Sequence, residues 1–288
     1  MTYNSYSQGC SDAGVCTMNS FKPNDEGNLN QTSNQIKFGI SYGNADYSIS
    51  ALGNYIEYNK QINNKFGFDI KLTSIAQNGN DISKFGLSDA FLNINYKANE
   101  KIILTLGTKI PLSQSNITLN NLPLPMDYQA SLGTYDLILG IGYELNKIQI
   151  VAALQQPLTQ NNNQFLAEKY PTNSKLREFQ STNQFKRSGD VLLRVSYPVS
   201  LSEKIRVTPS ILPIYHLYND KFTNESGIEQ EIADSKGLTL NGNIFLDYEL
   251  NSSNIIQLNL GMPFVIRKER PDGLTRSFIA NLEYRFKF

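Results

Sequence analysis

The stretch TRSFIANLEYRFKF (275–288) alternates with a period of two. Phe278, Ala280, Leu282, Tyr284, Phe286 and Phe288 fall on one face. Ser277, Ile279, Asn281, Glu283, Arg285 and Lys287 fall on the other. Successive side chains of a β-strand point to opposite faces, so this is a strand with one apolar and one mostly polar side. The same pattern recurs upstream. In 236–250 the apolar face is Leu238, Leu240, Ile244, Leu246, Tyr248 and Leu250. In 254–266 it is Ile256, Leu258, Leu260, Met262, Phe264 and Ile266. In 132–145 it is Tyr135, Leu137, Leu139, Ile141, Tyr143 and Leu145.

Such segments fall near 34–43, 48–60, 65–77, 85–98, 100–112, 132–145, 147–158, 189–199, 203–217, 236–250, 254–266 and 275–288. The second is the least regular, because Asn54 interrupts its apolar side. The connections alternate in length. Short turns lie at 62–64, 99, 146, 200–202 and 251–253. Longer loops lie at 77–84, 113–131, 159–189, 218–235 and 268–274, with 44–46 a short exception. Short periplasmic turns and long extracellular loops are the pattern of outer-membrane barrels. The fold expected is therefore all-β: a closed antiparallel transmembrane β-barrel of about twelve strands spanning 34–288. The even count puts both ends of the barrel on the periplasmic side. Tyr135 and Tyr143 bracket three apolar residues, a spacing that fits a hydrocarbon band with an aromatic at each interface. A soluble β-sandwich also alternates, but has no reason to alternate loop lengths or to end on Phe288.

Composition agrees. The 288 residues carry 26 basic and 26 acidic side chains, so no net field points to nucleic acid. Mean hydropathy is −0.35, and no apolar run is long enough for a transmembrane helix. There is one histidine, His216, which removes His-rich metal sites and two-His mechanisms. No metal-ligand cluster, phosphate loop or nucleotide fingerprint occurs, and no cofactor is expected. His216 lies inward near the extracellular rim, with Asp220 and Glu225 close in sequence. An outer-membrane phospholipase would need its base on the lipid side, so the chain is expected not to be an enzyme.

Residues 1–33 do not alternate and hold both cysteines, Cys10 and Cys16, whose spacing suits a small disulfide loop. The segment is expected to act as a plug in the periplasmic half of the lumen, or to hang as a periplasmic tail. No apolar stretch follows Met1, as in a mature or recombinant chain without its signal peptide.

The lumen face carries Asp89, Asp136, Arg194 and Arg206 among other charges, either a salt-bridge lattice or a selectivity element. It also carries Phe91, Ile138, Leu192, Leu212, Ile214, Phe245, Ile255 and Ile279, more apolar surface than a water-filled porin needs. Pro209 and Pro213 share one strand, and each lacks an N–H. A lateral opening in the wall is expected beside them.

Three consecutive stretches carry a resemblance. They are GLSDAFLNINYK (86–97), LTLGTKIPL (104–112) and LGTYDLILGIGYEL (132–145). They resemble the MetA-pathway phenol-degradation family of outer-membrane proteins, itself similar to the long-chain fatty-acid channel family. The matching residues are Gly86 and Asp89, Gly107 and Pro111, and Gly133, Asp136, Gly140 and Gly142. CSDAGVCTM (10–18) resembles the N-terminus of Bacteroidetes members. The resemblance implies passive uptake of hydrophobic or aromatic small molecules across the bacterial outer membrane. Lipid and an apolar ligand are then the partners. The alternative is a structural barrel within an outer-membrane complex. The loop 159–189, with Lys169, Lys175, Arg177, Lys186 and Arg187, is either a solvated surface loop or the place where another outer-membrane protein would dock.

Overall fold

The structure, a computed structural model, describes residues 18–23, 34–273 and 276–288. Its wall is made of strands β1 (Gln35–Ala45), β2 (Ser50–Gln61), β3 (Phe66–Gly79), β4 (Ile82–Lys97), β5 (Ile102–Pro111) and β6 (Asp136–Leu145). It continues with β7 (Ile148–Pro157), β8 (Asp190–Ser196), β9 (Ile205–His216), β10 (Gly237–Asn251), β11 (Asn254–Val265) and β12 (Arg276–Lys287). Each pairs antiparallel with its neighbours in sequence, and β1 pairs with β12 to close the barrel, Ile36 opposite Phe286 and Tyr42 opposite Ala280. Closure leaves no unpaired edge, a condition for placing backbone in a bilayer.

The expected faces are the observed ones. Leu106, Leu139, Ile141, Ile211, Leu246 and Leu282 point outward and are exposed. Phe66, Tyr143, Tyr197, Tyr284 and Phe286 form an aromatic belt near the short-turn end. Tyr42, Phe85, Tyr135, Tyr215, Phe264 and Phe278 form one near the loop end. Asn54 points outward and is exposed, so it interrupts the band without turning the strand over.

Two local features differ from the sequence expectation. The connection at 77–84 is not a long loop: β3 and β4 run on to a two-residue turn, Asn80–Asp81, with both φ values positive. Asn and Asp tolerate that conformation, and such turns match the twist of a hairpin. Further along β4, Ser88 and Asp89 together oppose Thr73 in a β-bulge. Asp89 N–H donates to Thr73 Oγ1 at 3.0 Å. The bulge moves the outward positions from odd (Phe85, Leu87) to even (Leu92, Ile94), so Gly86, Ser88 and Asp89 all face inward.

The loops 112–135, 158–189 and 217–236 fold together over the extracellular end. Ile49, Leu124, Tyr128, Phe165, Tyr170 and Phe179 make one buried apolar cluster there. Met126, Leu132, Phe185 and Ile232 make another. Asn163 joins two loops, donating to Ser115 O at 2.8 Å and Leu124 O at 3.0 Å.

Candidate functional site

The lumen is lined by the inward residues of all twelve strands. Its charges form a lattice that runs from β2–β6 on to β10 and β12. Lys109 pairs with Asp136 at 3.2 Å, Lys71 with Glu57 at 3.9 Å, and Arg285 with Asp247 at 3.7 Å. Asp89 accepts a hydrogen bond from Ser131 at 2.7 Å, and so ties the 112–135 loop to the wall. Opposite charges on adjacent inward positions neutralise each other, so the lattice costs less than the same ions buried singly.

A short piece of the N-terminal segment sits inside. Asn19–Phe21 form one 3₁₀ turn. Asn19 N–H donates to Glu57 at 3.0 Å, and Ser20 bonds Asp69. Lys22 Nζ lies 2.6 Å from Glu283 Oε2, and the Tyr55 hydroxyl bonds the same oxygen. Phe21 packs against Gly140, where an added Cβ would fall 2.3 Å from its ring. Glycine in mid-strand is therefore what lets the segment lie against the wall. Cys10 and Cys16 lie outside the described residues.

Beyond Phe21 lies an apolar cluster. Phe91, Ile138, Leu192, Leu212 and Ile214 of the wall meet Met18 and Phe21 there. Val151 and Ala153 of β7, which the sequence reading did not select, complete it. Phe245 and Ile279 are also buried inward, but outside this cluster.

The four charges singled out in the sequence are not brought together. Asp89 and Asp136 belong to the lattice near the 112–135 loop. Arg206 lies half-buried at the periplasmic end, 3.6 Å from Glu249, beside a cavity of about 360 Å³ between the turns at Asn146 and Ser200. Arg194 is buried on β8, its guanidinium 5.5 Å from the centre of the Phe245 ring.

At the extracellular rim, His216 Nδ1 lies 2.7 Å from Asp190 and Nε2 lies 2.8 Å from Asp220. With both ring nitrogens engaged by carboxylates, none is free to take a proton from a nucleophile. Glu225 is exposed in the following turn. Asp190 continues to Arg187, Arg187 to Asp272 at 3.3 Å, and Asp272 to Arg267 at 3.1 Å. Burial works against the Asp272 carboxylate. The guanidiniums of Arg267 and Arg187 overcome it and hold its pKa below the usual range. Arg267 and Asp272 escaped the sequence reading because they sit in loops, where no period marks a facing side. Arg187, expected on the docking surface of the 159–189 loop, is instead buried in this chain of pairs. Within the 159–189 loop, Lys169, Lys175 and Arg177 are exposed. Lys186 pairs with Glu229 on the neighbouring loop.

Beside β9 the wall is asymmetric. Towards β10 the pairing runs unbroken from Ile205 to His216. Towards β8 it joins Leu192 to Ile214 and Val195 to Ile211, and skips Leu193–Pro213 and Arg194–Leu212. Tyr197 N–H donates to Pro209 O at 3.1 Å, so the odd residues of β9 direct their backbone groups to β8. Pro213 has no N–H to give there.

No family model and no curated protein matches the sequence. Solved structures match the fold. An outer membrane channel from Pseudomonas putida F1 superposes with a TM-score of 0.63 at 12% identity, covering 93% of this chain and 99% of that one. A FadL homologue of Pseudomonas aeruginosa superposes with a TM-score of 0.50 at 8% identity, covering 98% and 100%. With the closed barrel, its outward apolar band and its aromatic belts, these place the chain. It is a bacterial outer-membrane β-barrel. At such identities the likeness is one of fold.

Proposed function

We propose that the barrel is a channel for passive uptake of hydrophobic or aromatic small molecules. The observation that carries this is the apolar cluster of Phe91, Ile138, Leu192, Leu212 and Ile214, turned towards the lumen rather than the lipid. An inward-facing surface of this kind binds apolar compounds by removing their surface from water. The two superposable structures, an outer membrane channel and a FadL homologue, support the reading, as do the three stretches that resemble the phenol-degradation family.

In this reading residues 1–33 are a plug. Met18–Pro23 hold it to the wall, and a Cys10–Cys16 disulfide closes a loop within it. The interrupted β8–β9 ladder at Pro213 is the seam through which an apolar compound leaves sideways into the membrane. The competing reading is a structural barrel in an outer-membrane complex. Uptake of toluene into proteoliposomes, followed by an encapsulated reporter, separates the two. The channel reading expects flux above that of empty liposomes, and flux that falls when Phe91 and Leu212 are both changed to Asn. Flux equal to that of empty liposomes overturns it.

A further inference from the structure

Arg194 stands apart from the other buried lumen charges. Lys22, Lys71, Lys109 and Arg285 each face a carboxylate. Arg194 is 3% exposed, and among the described residues no carboxylate comes within ion-pairing distance. Its Nε and Nη1 have no hydrogen-bond partner. Its contact is with the Phe245 ring, which attracts a cation weakly and leaves the in-plane N–H groups free. A guanidinium has five N–H donors in a planar fork, and leaving such a group buried without acceptors is costly.

The surroundings have the character of a binding site. Arg194 is opposite Leu212 across the skipped stretch of the β8–β9 ladder. The apolar cluster begins there, with Leu212, Leu192 and Ile214. On the other side stand Ser196 and Ser210, whose hydroxyls are 3.1 Å apart, and Asn243, the register partner of Ser210. A planar, doubly accepting anion suits the guanidinium, and an apolar body suits the cluster beside it.

We infer that Arg194 anchors a carboxylate carried on a small apolar or aromatic body. The head sits on the guanidinium, and the body lies against Phe245 and Leu212. This rests on the channel reading and narrows it, from neutral hydrophobic compounds to organic acids. It makes Arg194 the residue that determines specificity. The break at Pro213 sets the same site beside the proposed lateral exit.

The test is calorimetric titration of the full chain in nanodiscs with benzoate, benzyl alcohol and acetate. Benzoate is expected to bind more tightly than either. Benzyl alcohol lacks the charge and acetate lacks the ring. Arg194→Met, close in length and uncharged, is expected to lose about tenfold or more in benzoate affinity and to leave benzyl alcohol unchanged. Arg194→Lys, which keeps the charge and loses the fork, is expected to lie between. Heat-modifiable migration on gels shows that each variant is folded. Equal benzoate affinity in wild type and Arg194→Met overturns the site, as does benzyl alcohol binding as tightly as benzoate. Benzoate binding through Arg194 without toluene or benzoate flux keeps the anion site and overturns the channel instead.

Discussion

Lys22 and Glu283 meet inside the barrel with Nζ 2.6 Å from Oε2, though 261 residues separate them. Both side chains are almost wholly buried. The pair fastens the N-terminal segment to the last strand, and the last strand closes the barrel on β1. One contact therefore joins the candidate plug, the closure seam and the lumen lattice.

Lys22→Met removes that fastening. Glu283 keeps Arg285 and Tyr55 as partners, so the barrel itself should lose little stability. Single-channel conductance in planar bilayers should rise towards that of a variant lacking residues 1–33. Conductance unchanged in both variants would show that the segment does not obstruct the lumen.

The loop cap is fastened by Asp272. Asp272→Asn leaves the Arg267 guanidinium buried beside a neutral amide, while Arg187 keeps Asp190. Breaking a buried pair in this way costs about 3–5 kcal/mol, felt here as local opening of the loops. Limited proteolysis should show faster cleavage within 158–189 and 266–273, with the barrel intact.

Acid should open the same cap, and the sign follows from Asp272. Its pKa is lower folded than unfolded. Its stabilising contribution is therefore full above the unfolded value, about 3.9, and is lost as pH falls from there through the folded value. Pepsin should leave the loops of wild type intact at pH 5 and cut them increasingly below about pH 4. Asp272→Asn should already be cut at pH 5. Equal cutting of the two proteins at pH 5 would remove Asp272 from this role.

Pro213→Val, with Pro209→Val, restores two N–H groups that point towards β8. The thermal midpoint of unfolding should rise, since each recovered ladder bond contributes about 1 kcal/mol. If compounds leave sideways there, flux of an apolar compound should fall while conductance to small ions is kept. Unchanged flux in a more stable double variant would argue against a lateral exit.

Orientation can be read on intact cells. Trypsin added outside should cut the exposed Lys169–Arg177 stretch of the extracellular cap. The turn at 200–204, exposed at the opposite end, should be cut only after the outer membrane is permeabilised. Cutting at Lys204 on intact cells would invert the barrel.

The strand number, the facing of nearly every strand residue and the membrane location were legible from residues 34–288 alone. The reason is that a transmembrane strand sees lipid on one side and a polar lumen on the other, so the period of two is written locally. Where that contrast fades, so did legibility. The ends of β3 and β4 around Asn80 carry polar residues on both faces, which hid their extension. The bulge at Ser88–Asp89 broke the parity that the reading depends on. Sequence also placed Arg194, Glu283 and Asp136 on the inward face, but not their partners. Which inward charges meet depends on barrel closure and on which loops fold over the mouth, and these join residues hundreds of positions apart. Only the tertiary structure paired Glu283 with Lys22 and Asp136 with Lys109, and left Arg194 with no carboxylate among the described residues.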